Sequence, residues 1–186
     1  MAFPSGYVEL PERVAEAFSI YEAKTGIAPL LVGGAAAAIL TAGAFMSGDF
    51  DIIAENDEVF ADAVVQGGFV ADERVGRLRG GFYHPDHPEY GVELVSGPPF
   101  NGRMDRSRLL RPVFRNNHSI ALPSCEDLIA DRLGQHAVAS PSDDSRLRQA
   151  RLLLTMAQSI DMHYLECRVA EEGGDFSLLD LDLRKP

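Results

Sequence analysis

The amino-acid sequence predicts an α/β fold followed by a small C-terminal helical bundle. Three observations carry that expectation. An apolar run at residues 27–32 breaks at Gly33-Gly34 before the helix-favouring Ala35 to Leu40; Asp49 to Ile53 alternates acidic and apolar residues; and apolar stripes of helical period fill the chain beyond Ser124. With 186 residues, 46% hydrophobic and 24% charged, the chain has ordinary globular composition and enough length for a buried core, which excludes a fibrous or disordered protein.

The elements follow in order. Pro11 is placed to start a helix carrying Val14, Ala17, Phe18 and Tyr21 on one face and stopping at Gly26. Ile27 to Val32 reads as a buried strand, the glycine pair as a turn, and Ala35 to Leu40 as a helix. Period two in Asp49 to Ile53 puts Asp49 and Asp51 on one strand face and Phe50 and Ile52 on the other. Asn56 can cap a helix with Phe60, Val64 and Val65 that ends at Gly67-Gly68, and strands are expected near Phe69 to Ala71, Arg77 to Tyr83 and Val92 to Val95. Ser124 and Asp127 are spaced as a capping box before Cys125, Leu128, Ile129 and Leu133. Helices at Ser145 to Ala157 and from the Asp161 cap through Tyr164, Leu165 and Val169 complete the bundle, with a loosely held tail after Gly173-Gly174. Residues 1–120 thus form an α/β lobe, 121–174 a helical lobe and 175–186 a tail.

Bulk properties narrow the function classes. No apolar stretch is long enough to cross a bilayer, and the first ten residues have neither a basic leader nor an apolar signal core, so a cytoplasmic protein is expected. Cys125 and Cys167 lack a second ligand at metal spacing and read as buried thiols. A net charge of −11 opposes broad attraction to nucleic acid, yet eight arginines between Arg74 and Arg115 against four acids leave +4 there and −15 elsewhere, room for a local anion site.

Carboxylates at i and i+2 of a strand leave one sheet face together, a donor set suited to a hard cation such as Mg²⁺. Asp49 and Asp51 meet that requirement, and Glu93, within Gly91-Val92-Glu93-Leu94-Val95, is the candidate third acid, a metal ligand that could also accept a proton. Gly33 and Gly34 let backbone approach phosphate closely at the positive end of a helix, and Ser47 offers a hydroxyl donor. Asp180 and Asp182 repeat the acid spacing without a glycine turn upstream and read as solvent-facing. His84 and His87 bracket Pro85-Asp86 in what reads as a loop, and a Gly-x-Ser-x-Gly elbow is absent.

Leu31-Val32-Gly33-Gly34 followed by Ser47-Gly48-Asp49-Phe50-Asp51 resembles the signature of the DNA polymerase β-like nucleotidyltransferase superfamily, and Pro123 to Leu133 resembles the P-x-E-D-L helix of its minimal and AbiEii-like members. The resemblance covers roughly residues 27–170. It implies a mixed sheet with flanking helices, a nucleoside triphosphate substrate, two Mg²⁺ ions and a catalytic acid triad at Asp49, Asp51 and Glu93. Phe45 stands where many relatives have arginine, and Arg132 replaces a lysine, so phosphate contacts are expected from Arg77, Arg79 or the Arg103 to Arg115 group. Two other functions stay open: an inactive nucleotide-binding or regulatory half of a toxin–antitoxin type pair with a partner protein, and a sugar transferase using Asp-x-Asp. The acceptor is equally open among an RNA 3′ end, a protein hydroxyl and a small molecule such as a cationic antibiotic.

Overall fold

The structure, a computed structural model, describes residues 5–72, 81–97 and 99–179. Arg74, Arg77 and Arg79, with Asp180 and Asp182, lie outside the described residues. The fold is α/β: among the described residues, a mixed five-stranded sheet with six α-helices.

Helix α1 spans Ser5–Thr25, so Pro11 lies inside it rather than at its start. Proline removes one i→i−4 bond, but Leu10, Val14, Phe18 and Tyr21 form a continuous buried stripe, and packing of that stripe outweighs the local penalty. Strand β1 is Leu30–Val32, shorter than the apolar run because Pro29 has no N–H to offer a ladder. Helix α2 is Gly33–Leu40 and β2 is Asp49–Ile53, with the strand bounds read from the sequence. The side chain of Asn56 caps α3 (Asp57–Gln66) by accepting from the Val59 N–H at 3.0 Å. Val65, expected on its buried stripe, is exposed.

Three short strands follow: β3 (Val70–Ala71), β4 (Gly81–His84) and β5 (His87–Leu94). The expected loop between strands is the two-residue turn Pro85-Asp86, and His84 and His87, at the strand ends, face each other across the hairpin. The sheet order is β1-β2-β5-β4-β3, with only the β2–β5 pair parallel. The outer edge of β1 is covered by residues 120–122, where the Leu31 N–H donates to the Ala121 carbonyl at 3.0 Å.

Helices α4 (Cys125–Ala137), α5 (Ser145–Met156) and α6 (Met162–Glu171) form the bundle, with α4 packed against both others. Ser124 and Asp161 cap α4 and α6 as their spacing predicts. Cys125 is half-buried, whereas Cys167 is exposed because it falls on the face of α6 opposite Leu165 and Val169. Residues 175–179 are held against the bundle: the Arg151 guanidinium donates to the Leu178 carbonyl at 2.8 Å, and Leu179 is buried.

One contiguous core runs from Leu10 through Phe50, Ile52 and Ile120 to Leu165 and Leu179, crossing the boundary at residue 120. Phe60 meets Phe18 and Tyr21 edge-on at 6.2 and 5.8 Å, each contact contributing about 0.5–1.5 kcal/mol beyond burial. The Tyr21 hydroxyl accepts from the Glu55 and Asn56 N–H groups at 3.1 Å, tying α1 to the end of β2. Between α4 and α6, Arg168 donates to Asp127 at 2.7 Å with both side chains buried, and the Tyr164 hydroxyl and Ser124 hydroxyl donate to the same carboxylate. Close packing of these helices depends on Gly134, where a Cβ would lie 2.7 Å from the Glu172 carbonyl oxygen. Gly134→Ala is therefore expected to destabilise by about 1–3 kcal/mol, measured by urea unfolding. Among the described residues, no helix is long and apolar enough to cross a membrane.

Candidate active site

The alternation of β2 decides what faces the cleft. Phe50 and Ile52 are fully buried in the core, which turns Asp49, Asp51 and Ile53 to the opposite face. The parallel register pairs Asp51 with Glu93 of β5, and the antiparallel register pairs it with Val32 of β1. Residues in register share a sheet face, so the three predicted acids occupy one side of adjacent central strands.

The glycine turn closes over these acids. Gly33 has φ +70°, and a Cβ there would collide with the Asp51 carboxylate; at Gly34 a Cβ would sit 2.8 Å from the Ser47 Oγ. Gly33 therefore demands glycine for backbone conformation and close approach, and Gly34 for close approach alone. Gly33→Ala is expected to cost about 1–3 kcal/mol from the left-handed backbone alone and to displace Asp51 as well. Urea unfolding checks this, and wild-type stability would contradict it. The Ser47 hydroxyl donates to the Asp49 carbonyl at 3.0 Å, so it braces the approach to β2 while lining the cleft.

Helix α2 starts differently from α3, α4 and α6. Its N-cap is Val32, which supplies no side-chain hydrogen bond, so the first-turn N–H groups face the cleft without the cap that Asn56, Ser124 or Asp161 gives elsewhere. Such a terminus carries partial positive charge and is suited to an anion.

The cleft has a volume of about 580 Å³. Gly33, Gly34, Ser47, Asp49 and Asp51 form one wall; Asp131, Arg132 and Gln135 of α4 with Arg146 and Gln149 of α5 form the other. Phe100, Asn101 and Glu172 also border it, whereas Glu93 stands behind Asp51, half-buried, outside the lining. Arg132 is buried and pairs with Asp131, its Nε donating at 3.0 Å, and Arg146 pairs with Asp143 at 3.1 Å.

Of the arginines expected to supply phosphate contacts, four are engaged elsewhere in the chain. Arg103 donates to the Glu171 carbonyl, Arg106 to the Ala28 carbonyl at 3.1 Å, Arg108 to Asp161 at 3.0 Å, and Arg111 to both oxygens of Glu22 at 2.9 Å. These side chains fasten the 103–111 segment to α1, to the Ala28 carbonyl ahead of β1 and to the two ends of α6. Arg132 and Arg146 bring positive charge to the cleft instead; of the two, Arg132 was marked in the sequence by its place in the Pro123 to Leu133 helix.

Asp51 sits in a partly buried, strongly negative setting. Burial, then the charges of Glu93 and Asp49, push its carboxyl up to about 6, with Arg132 acting in the opposite sense. As they stand, no three His, Cys, Asp or Glu side chains among the described residues converge closely enough to hold a metal ion. The donor set nevertheless fits a hard divalent cation: oxygen ligands on adjacent strands, with excess negative charge that a cation would offset. His84 and His87 lie apart from this site, beside α1, where His87 bonds Glu9 at 3.1 Å and burial lowers the pKa of His84.

No protein-family profile and no curated protein matches this sequence. Solved structures do match. A nucleotidyltransferase-like antigenic protein from Paracoccidioides brasiliensis superposes with a TM-score of 0.59 at 14% identity, over 91% of this chain and 88% of that one. The antibiotic-resistance factor ANT(2'')-Ia superposes with a TM-score of 0.56 at 13% identity, over 87% and 90%. With its mixed sheet, glycine turn and strand-borne acids arranged as described, the chain has the fold of nucleotidyltransferase-like proteins.

Proposed function

We propose that this protein transfers a nucleoside monophosphate from a nucleoside triphosphate to an acceptor hydroxyl, releasing pyrophosphate in a Mg²⁺-dependent reaction. The observation that carries the reading is the meeting of an uncapped helix start with the Asp49, Asp51 and Glu93 face across a single turn. In the reaction the acceptor oxygen bonds to the α-phosphorus as the bond to pyrophosphate breaks, and the acceptor proton passes to a base. Asp49 and Asp51, with Glu93 as third acid, would hold Mg²⁺. When bound, the metal supplies neutralisation of the phosphate oxygens. The N–H groups at the start of α2 receive the triphosphate, Arg132 and Arg146 balance its charge from the opposite wall, and Glu93, in register beside Asp51, is assigned to take the acceptor proton.

The acceptor follows from charge. Arg103, Arg106, Arg108 and Arg111 are engaged within the chain, and the net charge is −11, which favours a neutral or cationic small molecule or a protein hydroxyl over an RNA 3′ end. The fold likeness to an antibiotic-resistance factor supports the small-molecule class. Incubation with each labelled nucleoside triphosphate, Mg²⁺ and cell extract should label an acceptor, and the Asp49→Asn, Asp51→Asn protein should leave it unlabelled. Equal labelling by both proteins would sink the proposal.

A second reading, a nucleotide-binding regulatory module without turnover, paired with a partner protein as in a toxin–antitoxin system, is favoured by Phe45. That ring packs against the core where many relatives of the resembled family carry arginine. Calorimetric nucleotide binding with no pyrophosphate release would select it.

A further inference from the structure

The segment that follows β5 has an unusual backbone. Gly97 and Gly102 have φ +103° and +78°, and between them two residues that are not glycine, Phe100 at φ 47° and Asn101 at φ 56°, occupy the left-handed region. A bulky aromatic residue is strained there, and such strain persists only where surrounding contacts enforce it. The contacts are present. Arg103 is fastened to the Glu171 carbonyl, the Tyr164 hydroxyl accepts from the Asp105 N–H at 3.4 Å, and the Arg168 guanidinium lies 5.9 Å from the Phe100 ring centre.

The result is a placement. Phe100 packs beside Val32 and Ile53, and both it and Asn101 border the cleft. Of the apolar lining, Ile53 and Val95 lie past Asp51 along the sheet, Val32 is level with Asp51, and Phe100 packs against the cluster that holds Val32 and Ile53. The polar lining suited to phosphate lies at the glycine turn and on the α4 and α5 wall. From Asp51 to Ile53 is about 7 Å along the strand, roughly the reach of a ribose from a phosphate. An apolar slot with one planar ring and one carboxamide matches a nucleobase, which presents a π-face and an edge of mixed donors and acceptors.

We propose that Phe100 and Asn101 form the nucleobase subsite, with Phe100 as the stacking platform and Asn101 as the residue that reads the base edge. This rests on the nucleotide-site reading above. Stacking tolerates any base, so preference among bases resides in the Asn101 amide.

Calorimetry with Mg²⁺ and, in turn, ATP, CTP, GTP, UTP and inorganic tripolyphosphate tests the assignment. The wild-type protein is expected to bind at least one nucleotide more tightly than tripolyphosphate. Phe100→Ala should weaken nucleotide binding on the order of tenfold while leaving tripolyphosphate binding unchanged, and Phe100→Tyr should restore it. Asn101→Gly, which suits the left-handed backbone and so preserves folding, should narrow the spread of affinities among the four nucleotides. Equal weakening of nucleotide and tripolyphosphate by Phe100→Ala, no weakening at all, or an unchanged spread in Asn101→Gly would overturn the assignment. Wild-type binding of tripolyphosphate but of no nucleotide more tightly would overturn this subsite alone, whereas binding of neither would overturn the nucleotide site itself.

Discussion

Asp51→Asn is expected to reduce Mg²⁺-dependent pyrophosphate release by about two to three orders of magnitude or more and, in metal-free protein above pH 6, to raise the melting temperature. The two effects have one cause. Asp51 sits against Glu93 and Asp49 and is partly withdrawn from water, so its carboxyl is pushed up to about 6 in the folded state. An unfolded aspartate titrates near pH 4, so between about pH 4 and 6 the folded protein keeps a proton that the unfolded chain has released. Stability therefore declines as pH rises through that window, and the deficit remains at higher pH. Asparagine removes the charge and with it the deficit. Thermal melts at pH 5 and pH 8 should show a larger gain for the variant at pH 8. Added Mg²⁺ should raise the wild-type melting temperature more than that of the variant, because a ligand that binds only the folded state stabilises it. A variant that melts below wild type at pH 8 would contradict the account.

The largest expected loss of stability comes from the bundle. Arg168→Ala leaves Asp127, which is 0% exposed, with a buried charge and no cation beside it. Removing one partner of such a pair costs about 3–5 kcal/mol. Burial alone would lower the arginine pKa, but hydrogen bonds to Asp127, Glu172 and Glu171 raise it, so the guanidinium stays charged. Urea unfolding should show the loss, and Arg168→Met combined with Asp127→Asn should recover part of it, because neither side chain then carries an unpaired buried charge. An Arg168→Ala protein within about 1 kcal/mol of wild type would mean that solvent reaches Asp127. Arg168 also holds Glu172 at the cleft and lies beside Phe100, so the recovered double variant should still differ in ligand binding.

Much of the fold was legible because its signals are local. The alternation in β2 and the caps at Asn56, Ser124 and Asp161 depend on residues within a few positions of one another, and the structure has them as the spacing predicts. Helix α1 was misjudged at its start because tertiary packing of Leu10 and Val14 overrides the local rule for proline. The acids and the glycine turn were legible as a group through their spacing. Their partners across the cleft were not, because which arginine faces it depends on how α4 and α5 dock. The 103–111 arginines looked available only while Glu22, Asp161 and the Ala28 and Glu171 carbonyls, all far away in sequence, were out of view. Arg168 did leave a trace: a charged residue one turn after Leu165 and beside Val169 falls in an apolar stripe, and such a residue needs a buried partner.

The seam at residue 121 has a mechanical consequence. Because the Ala121 carbonyl is bonded to β1 and a single core passes under both walls of the cleft, swinging those walls apart would break that bond and expose core side chains. Under the proposed function, substrates reach the cleft past a rim that includes Ser47, Val95, Ser96, Phe100 and Asn101. On that reading, selection among acceptors depends on what passes the rim, more like a sieve than a clamp, and shortening side chains there should broaden the range of acceptors without unfolding the protein.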